Sequence, residues 1–184
     1  VETGVESTDQ FVLQDVNKSV DEVSWYIDGE PVETSEVSGT GPFSFNKTWN
    51  STGIYTVTGA VENSSSGLVD YVEWNVGVYN IAIQGEDSYT KSSGGLITTT
   101  QTFEVFYVQS ATINYSVSYD EDVVKKISGP DDGYVANGES RTWEFQVTKS
   151  NYSGTPITIT AEYGERSSTK RIHVSTASSD GSLI

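Results

Sequence analysis

Residues 25–32, Trp25-Tyr26-Ile27-Asp28-Gly29-Glu30-Pro31-Val32, decide the fold because they read as a strand, a tight turn and the start of a second strand. Side chains two apart in a strand lie on one face, so Trp25 and Ile27 share a face. Asp-Gly readily adopts the positive φ angles of a two-residue type I′ turn. The segment therefore predicts a β-hairpin.

Short alternating segments of this kind recur along the chain, between clusters of Gly, Asn, Asp and Ser. They are rich in Val, Ile, Thr, Tyr and Trp, whereas helical periodicity is nearly absent, so the sequence predicts an all-β chain. The candidate strands of the first half are Phe11–Leu13, Glu22–Ile27, Pro31–Val32, Phe43–Phe45, Ile54–Val61 and Tyr71–Val78. Those of the second half are Ile81–Ile83, Thr102–Val108, Thr112–Tyr119, Thr142–Val147, Ile157–Tyr163 and Lys170–Val174. The polar residues 163–168 read as the last hairpin loop.

The two similar sets of strands predict two domains that meet near residues 79–80. The 184 residues suffice for one large sandwich or for two domains of roughly 90 residues each. We assign residues 1–79 and 80–176 to two domains, and residues 177–184 to a polar tail, a linker or a frayed terminus. Residues 1–79 hold 13 acids and 2 bases, whereas the rest of the chain holds 13 acids and 8 bases.

The formal net charge of -16 restricts the partners of the chain. Such an acidic surface repels phosphate backbones and anionic headgroups, so we expect no nucleic-acid binding and no electrostatic docking on a membrane. The longest apolar stretches fall far short of the roughly 20 residues that cross a bilayer, so we expect no membrane insertion by this segment. Because the chain begins with Val1, we expect a processed form or a segment of a longer protein.

The scarcity of catalytic residue types argues against an enzyme. The chain has no cysteine, which removes disulfides, thiolate nucleophiles and Cys-based zinc sites. Its one histidine, His173, alternates with Ile172 and Val174, so we expect it to point outward rather than to act as a catalytic base. Acids are so abundant that no carboxylate pair is diagnostic of a glycosidase.

Potential N-glycosylation sites are the most informative feature of the sequence. Six of the nine asparagines begin an Asn-X-Ser/Thr sequon, which marks surface positions that accept glycans in secreted proteins. They are Asn17, Asn46, Asn50, Asn63, Asn114 and Asn151. Alternation within Ile113–Tyr119 directs Asn114 away from Ile113 and Tyr115, hence outward. We expect covalent N-glycans here, and the alternative is that a Ser/Thr-rich chain contains unused sequons.

Two acidic clusters are candidate calcium ligands, since that ion needs several oxygen ligands at once. The residues are Asp120, Asp122, Asp131 and Asp132, which a loop over the intervening segment would bring together. The alternative is that these acids solvate loop tips. We expect no cofactor other than calcium.

Aromatic residues make up 11% of the chain and are mostly tyrosine. Exposed aromatic rings can stack on sugars, and the candidates for such a platform are Trp49, Tyr71 and Tyr152. Most of these rings are also explained as core or cross-strand residues.

The first half resembles the PKD and immunoglobulin-like modules of archaeal and bacterial surface proteins. The matching residues are Trp25–Gly29, Gly53–Thr58 and Trp74–Val78. The resemblance implies that Trp25 fills the core between two sheets and that Tyr55 begins the partner strand. Because Ile-Asp-Gly-Glu stands where PKD modules have Phe-Gly-Asp-Gly, the broader immunoglobulin-like assignment is the safer one.

The second half is similar to the CARDB-type modules of prokaryotic surfaces, on the residues Asn137–Val147 and Gly154–Ala161. Together the resemblances imply two tandem immunoglobulin-like β-sandwich domains from a surface-layer or adhesin-type glycoprotein. The acidic excess and the sequons are typical of an archaeal surface glycoprotein.

We therefore expect a non-catalytic, extracellular structural or adhesion segment at a cell surface. Its partners would be other copies of the chain or other proteins of the same coat. The alternative is a carbohydrate-binding accessory module of a secreted protein.

Overall fold

The computed structural model of the protein describes residues 1–14, 16, 18–108 and 110–176. Within these ranges the chain forms fifteen β-strands and no α-helix, so the predicted all-β fold is confirmed. Its contacts divide it into two compact units, Val1–Asn80 and Ile81–Ile184. The sequence-based division lies at residues 79–80, and the predicted tail, residues 177–184, lies outside the described residues.

The first unit consists of one large sheet and one small sheet. The large sheet has the order β4-β3-β6-β7, with β1 added parallel to β7, and the small sheet pairs β2 with β5. The strands are β1 (Glu2–Gly4), β2 (Thr8–Leu13), β3 (Val20–Ile27), β4 (Glu30–Gly39), β5 (Phe43–Thr48), β6 (Gly53–Asn63) and β7 (Leu68–Gly85). Strand β7 continues past the boundary, so its last residues, 81–85, belong to the second unit.

The core of the first unit is built around Trp25, as the resemblance implied. Its ring centroid lies 5.4 Å from that of Phe45 on the small sheet and 6.0 Å from that of Trp74 on β7. Gly59 is the register partner of Trp25 on β6, and a Cβ atom there would lie 2.7 Å from Cζ3 of the indole. The large ring on one strand therefore occupies the space that the glycine on the next strand leaves open.

The second unit consists of two larger sheets. One has the order β12-β10-β14-β15-β8, and the other continues from the end of β7 through β9 and β13 to β11. The strands are β8 (Ser88–Lys91), β9 (Leu96–Phe106), β10 (Thr112–Tyr119), β11 (Val124–Ser128), β12 (Asp132–Ala136), β13 (Ser140–Val147), β14 (Ser153–Tyr163) and β15 (Arg166–Thr176).

Trp143 on β13 occupies the core of the second unit. Its ring packs at steep angles against Phe103 and Tyr115, with centroid distances of 6.4 Å and 6.0 Å. The indole Nε1 donates a hydrogen bond to the carbonyl oxygen of Pro130 at 2.6 Å. A Cβ atom at Gly129, whose φ is 101°, would lie 2.4 Å from Cδ1 of Trp143, so the ring again packs against bare backbone.

Both units are immunoglobulin-like sandwiches by their topology. In the second unit the order β7-β9-β13-β11 in one sheet and β10-β14-β15 in the other is the ABED and CFG arrangement of such domains. In each unit a short strand near the start also runs parallel to the last strand, β1 beside β7 and β8 beside β15.

The predicted hairpin is confirmed, because Asp28 and Gly29 adopt φ angles of 52° and 83° between β3 and β4. The prediction missed the short strands β1, β8, β11 and β12. It also cut β4 to two residues, since β4 is exposed along nearly its whole length and has no apolar alternation. The last hairpin turn is shorter than predicted, because β15 already begins at Arg166.

The predicted start of β9 was wrong for a different reason. Strand β9 begins at Leu96, six residues before the predicted Thr102, and its inward side chains include Thr99 and Gln101. Gln101 is fully buried and donates from Nε2 to the carbonyl oxygen of Glu86 at 2.7 Å. A polar residue on the core face breaks the apolar pattern that the prediction relied on.

We predict that Gly59→Ala destabilises the first unit by about 1–3 kcal/mol, because the new methyl group must displace the Trp25 ring. The matched control is Gly77→Ala on β7, where the nearest atom to a Cβ lies 3.9 Å away. Chemical denaturation followed by tryptophan fluorescence measures both. Equal midpoints for the two variants would contradict the close packing of Trp25 against Gly59.

Candidate functional site

The sequon asparagines lie mainly on outward faces. Asn46 on β5, Asn50, Asn114 on β10 and Asn151 are exposed, and Asn17 lies outside the described residues. The outward direction predicted for Asn114 is confirmed, since Ile113 and Tyr115 beside it are buried. Four sequons therefore present their side chains to solvent in the folded chain.

Asn63 is different, because both ends of its side-chain amide form hydrogen bonds. Nδ2, the atom that would receive a glycan, donates to the carbonyl oxygen of Ser19 at 2.8 Å. Oδ1 accepts from the backbone N–H of Ser66 at 2.9 Å. The next residue, Ser64, donates from Oγ to Asp21 at 2.5 Å. We call this set, Ser19, Asp21, Asn63, Ser64 and Ser66, the Asn63 clamp.

The contact between Ser64 and Asp21 favours the ionised form of Asp21. The Oγ and backbone N–H of Ser64 donate to its carboxylate and hold the pKa of that group below its usual value of 3.8. A lowered pKa means that the stabilisation is fully present above the ordinary carboxyl pKa and is lost as the pH falls through the lowered value.

Acidic side chains form a row across three neighbouring strands of the first unit. Glu22 on β3 is the register partner of Glu36 on β4 and of Glu62 on β6. Like charges directly opposite each other in a sheet repel, so this row, the glutamate row, opposes folding. The sequence showed the acidic excess of this half but not the alignment of these three residues.

The four candidate calcium ligands do not form one cluster. Asp131 forms an ion pair with Lys126, and Oδ1 of Asp120 accepts from the backbone N–H of Asp122 at 3.0 Å. The segment between the two clusters is not a simple loop, since it contains β11. Among residues 1–14, 16, 18–108 and 110–176, no group of three or more Asp, Glu or His side chains gathers around a point where a metal could bind.

The prediction that Trp49 offers an exposed aromatic platform is wrong. Trp49 is only 2% exposed, and its ring centroid lies 4.7 Å from that of Tyr55. Its Nε1 donates to Asp9 at 2.7 Å. The alternation of β5, in which Phe45 is buried, continues to Trp49 and directs it inward.

The other two aromatic candidates differ in exposure. Tyr71 on β7 is 62% exposed beside Val69, which is 63% exposed. Tyr152 is half-buried, and burial raises the pKa of its hydroxyl. The ammonium group of Lys149 lies 5.7 Å from the centre of the Tyr152 ring and covers part of it. Tyr71 is therefore the better sugar platform of the two.

His173 is half-buried between the buried residues Ile172 and Val174, so the predicted alternation is confirmed. Its Nε2 lies 3.1 Å from Oγ of Ser175 and 3.3 Å from Oγ of Ser153. Two serine hydroxyl groups therefore lie within hydrogen-bond distance of this ring nitrogen.

Two features of the exposed faces were missed in the sequence. Pairs of hydroxyl side chains cross between strands, with Oγ1 of Thr100 2.8 Å from Oγ1 of Thr142 and Oγ1 of Thr102 2.8 Å from Oγ of Ser140. Tyr134 on β12 is 70% exposed, more than either remaining aromatic candidate. The strand β12 was not predicted, so neither the neighbours nor the face of Tyr134 could be assigned.

The similarities of the chain to known proteins are distant. No protein-family model matches the chain, and no curated protein matches it. It is similar to the fibronectin(III)-like modules of Clostridium thermocellum CbhA, with 10% identity, a TM-score of 0.40 and coverage of 100% of this chain and 92% of that one. It is also similar to the amphioxus IgVJ-C2 molecule, with 15% identity, a TM-score of 0.37 and coverage of 94% and 98%. At these identities and scores neither similarity carries an argument.

Helices that could cross a membrane are absent from the part of the chain that the structure describes.

We predict that Glu22→Gln raises the free energy of unfolding by about 0.5–2 kcal/mol in dilute buffer, because it removes the central charge of the glutamate row. The gain should shrink in molar NaCl, where charges are screened within about 3 Å. Thermal melts at both salt concentrations measure the effect. Glu73→Gln is the matched control, since Glu73 faces Thr58 rather than an acid. A gain that does not change with salt would contradict the electrostatic cause.

Proposed function

We propose that the chain is a non-catalytic, extracellular structural or adhesion segment of a glycosylated cell-surface protein of the surface-layer type. The observation that carries the proposal is the placement of four sequon asparagines, Asn46, Asn50, Asn114 and Asn151, on exposed positions of two compact sandwiches. Glycans on these positions would face solvent without disturbing the packed core.

The resemblance of Trp25–Gly29 and Gly53–Thr58 to PKD modules, and of Asn137–Val147 to CARDB-type modules, supports a prokaryotic surface, and an archaeal one in particular, as the setting. Many cell-surface domains share the immunoglobulin-like sandwich, although the architecture alone does not define a function. The acidic surface supports the same setting, because carboxylates keep a crowded surface hydrated and repel nonspecific anionic partners.

The mechanical part of such a role would rest on the sheets themselves. Long antiparallel ladders, such as the eleven register pairs between β6 and β7, resist extension and bending of a unit. Charge and glycans would keep the faces soluble, while the strand edges and loops would contact other copies or other proteins of the same coat. Edge strand β4 has Pro31 and three glutamates, which disfavour indiscriminate strand pairing.

A second candidate function is a carbohydrate-binding accessory module, which the exposure of Tyr71 favours. Its ring and Val69 form a small apolar area on the outward face of β7. A glycan array with the purified chain tests this function, and signals that vanish in Tyr71→Thr would support it over the structural role.

We predict that glycopeptide mass spectrometry of native material finds glycans on Asn46, Asn50, Asn114 and Asn151. Occupancy of Asn63 should be lower, because its Nδ2 donates to Ser19 in the folded chain. In a glycosylating expression host, Asp21→Ala should raise the occupancy of Asn63 alone, since it releases Ser64 from the Asn63 clamp. Asn151 is the internal control.

Bare asparagines at all four exposed sequons in native material would overturn the glycoprotein proposal. Equal occupancy of Asn63 with and without Asp21 would instead show that the clamp does not limit access to this residue.

A further inference from the structure

Asn114 and Tyr134 are cross-strand neighbours on the same outward face. They are register partners in the antiparallel pair of β10 and β12. The adjacent register pair, Ile113 and Val135, is buried, which fixes the opposite face as the exposed one. Directly opposite residues in such a pair have Cβ atoms roughly 4.5–5.5 Å apart, so the phenol ring lies within reach of a sugar attached to Asn114.

Tyr134 offers a sugar an apolar surface that is already in place. The ring is 70% exposed, whereas the inward aromatic on the neighbouring strand, Tyr115, is 3% exposed. The backbone of Tyr134 is held by Arg141, whose Nη2 donates to its carbonyl oxygen at 3.2 Å. An aromatic face carries partial negative charge and favours contact with polarised C–H bonds, such as those on one face of a pyranose ring.

The surroundings of Asn114 are asymmetric. On the side opposite Tyr134, its register partner on β14 is Glu162, an exposed charged residue. A sugar that lies toward β12 gains contact with the aromatic ring, whereas one that lies toward β14 meets a carboxylate that water solvates well. The register therefore favours the β12 side for the first sugar.

We propose that Tyr134 is a docking platform for the first sugar of a glycan on Asn114, so that this glycan lies across β12 instead of projecting freely into solvent. This inference rests on the proposed glycosylation and adds a specific contact to it. Strand β12 is the last strand of its sheet. The glycan would therefore also cover the unpaired edge of β12, which otherwise could pair with the strand of another molecule.

The test is a double-mutant cycle with the full chain produced in an N-glycosylating host. The four forms combine Asn114 or Asn114→Gln with Tyr134 or Tyr134→Thr, and intact-mass measurement establishes the occupancy of Asn114 in each. Threonine preserves strand propensity and exposes no apolar ring. We expect the glycan to raise the melting temperature by roughly 3–8 °C when Tyr134 is present and to have little effect in Tyr134→Thr.

Asn46 supplies the matched control. It also lies on the exposed face of a strand, but its register partner is Gln10. A cycle of Asn46→Gln with Gln10→Thr should show no coupling between the two changes. Nuclear magnetic resonance gives a second readout, since ring currents of Tyr134 should shift the protons of the first sugar on Asn114 upfield, and Tyr134→Thr should abolish the shift.

The outcomes separate this inference from the proposal on which it rests. In one outcome Asn114 is occupied, and its glycan raises the melting temperature equally in the chain that keeps Tyr134 and in the Tyr134→Thr variant. This result overturns the platform and leaves the glycoprotein proposal standing. In the other outcome Asn114 stays unmodified in the glycosylating host and in native material. This result overturns the platform and also counts against glycosylation at this site.

Discussion

The packing of one tryptophan against a bare backbone holds each sandwich together. Trp25 packs against Gly59 in the first unit, and Trp143 packs against Gly129 in the second. The chain has no cysteine, so no disulfide supplements these contacts. Each unit must therefore obtain its stability mainly from apolar burial, and the buried aromatic residues supply much of that area.

Side chains alternate strictly along the strands, and this alternation separates the packed inner faces from the outer faces. Inward positions such as Ile113 and Tyr115 fix the core, so outward neighbours such as Asn114 can vary without loss of packing. The outward positions hold Asn46 and Asn114, the cross-strand hydroxyl pairs and the glutamate row. The last of these works against folding, which is consistent with a surface selected for properties other than stability. The proposed role therefore depends on the faces, whereas the fold depends on the core.

The sequence predicts the fold well where inside and outside alternate cleanly. The hairpin at Asp28-Gly29 and the outward direction of Asn114 follow from turn chemistry and from strand periodicity. It fails where tertiary contacts override the pattern. The buried Gln101 conceals the start of β9. Trp49, by contrast, is mistaken for a surface residue because the predicted strand ends at Phe45 and its alternation is not extended to residue 49. Register partners, such as Tyr134 for Asn114, become visible only when strands are paired in space.

The proposed role places these sandwiches outside a cell, with their sequon-bearing faces exposed. The most direct test of this placement is to label intact, unpermeabilised source cells with an antibody raised against the folded chain. We expect strong labelling of intact cells, and external protease should remove this labelling. Labelling that appears only after the cells are permeabilised would contradict it.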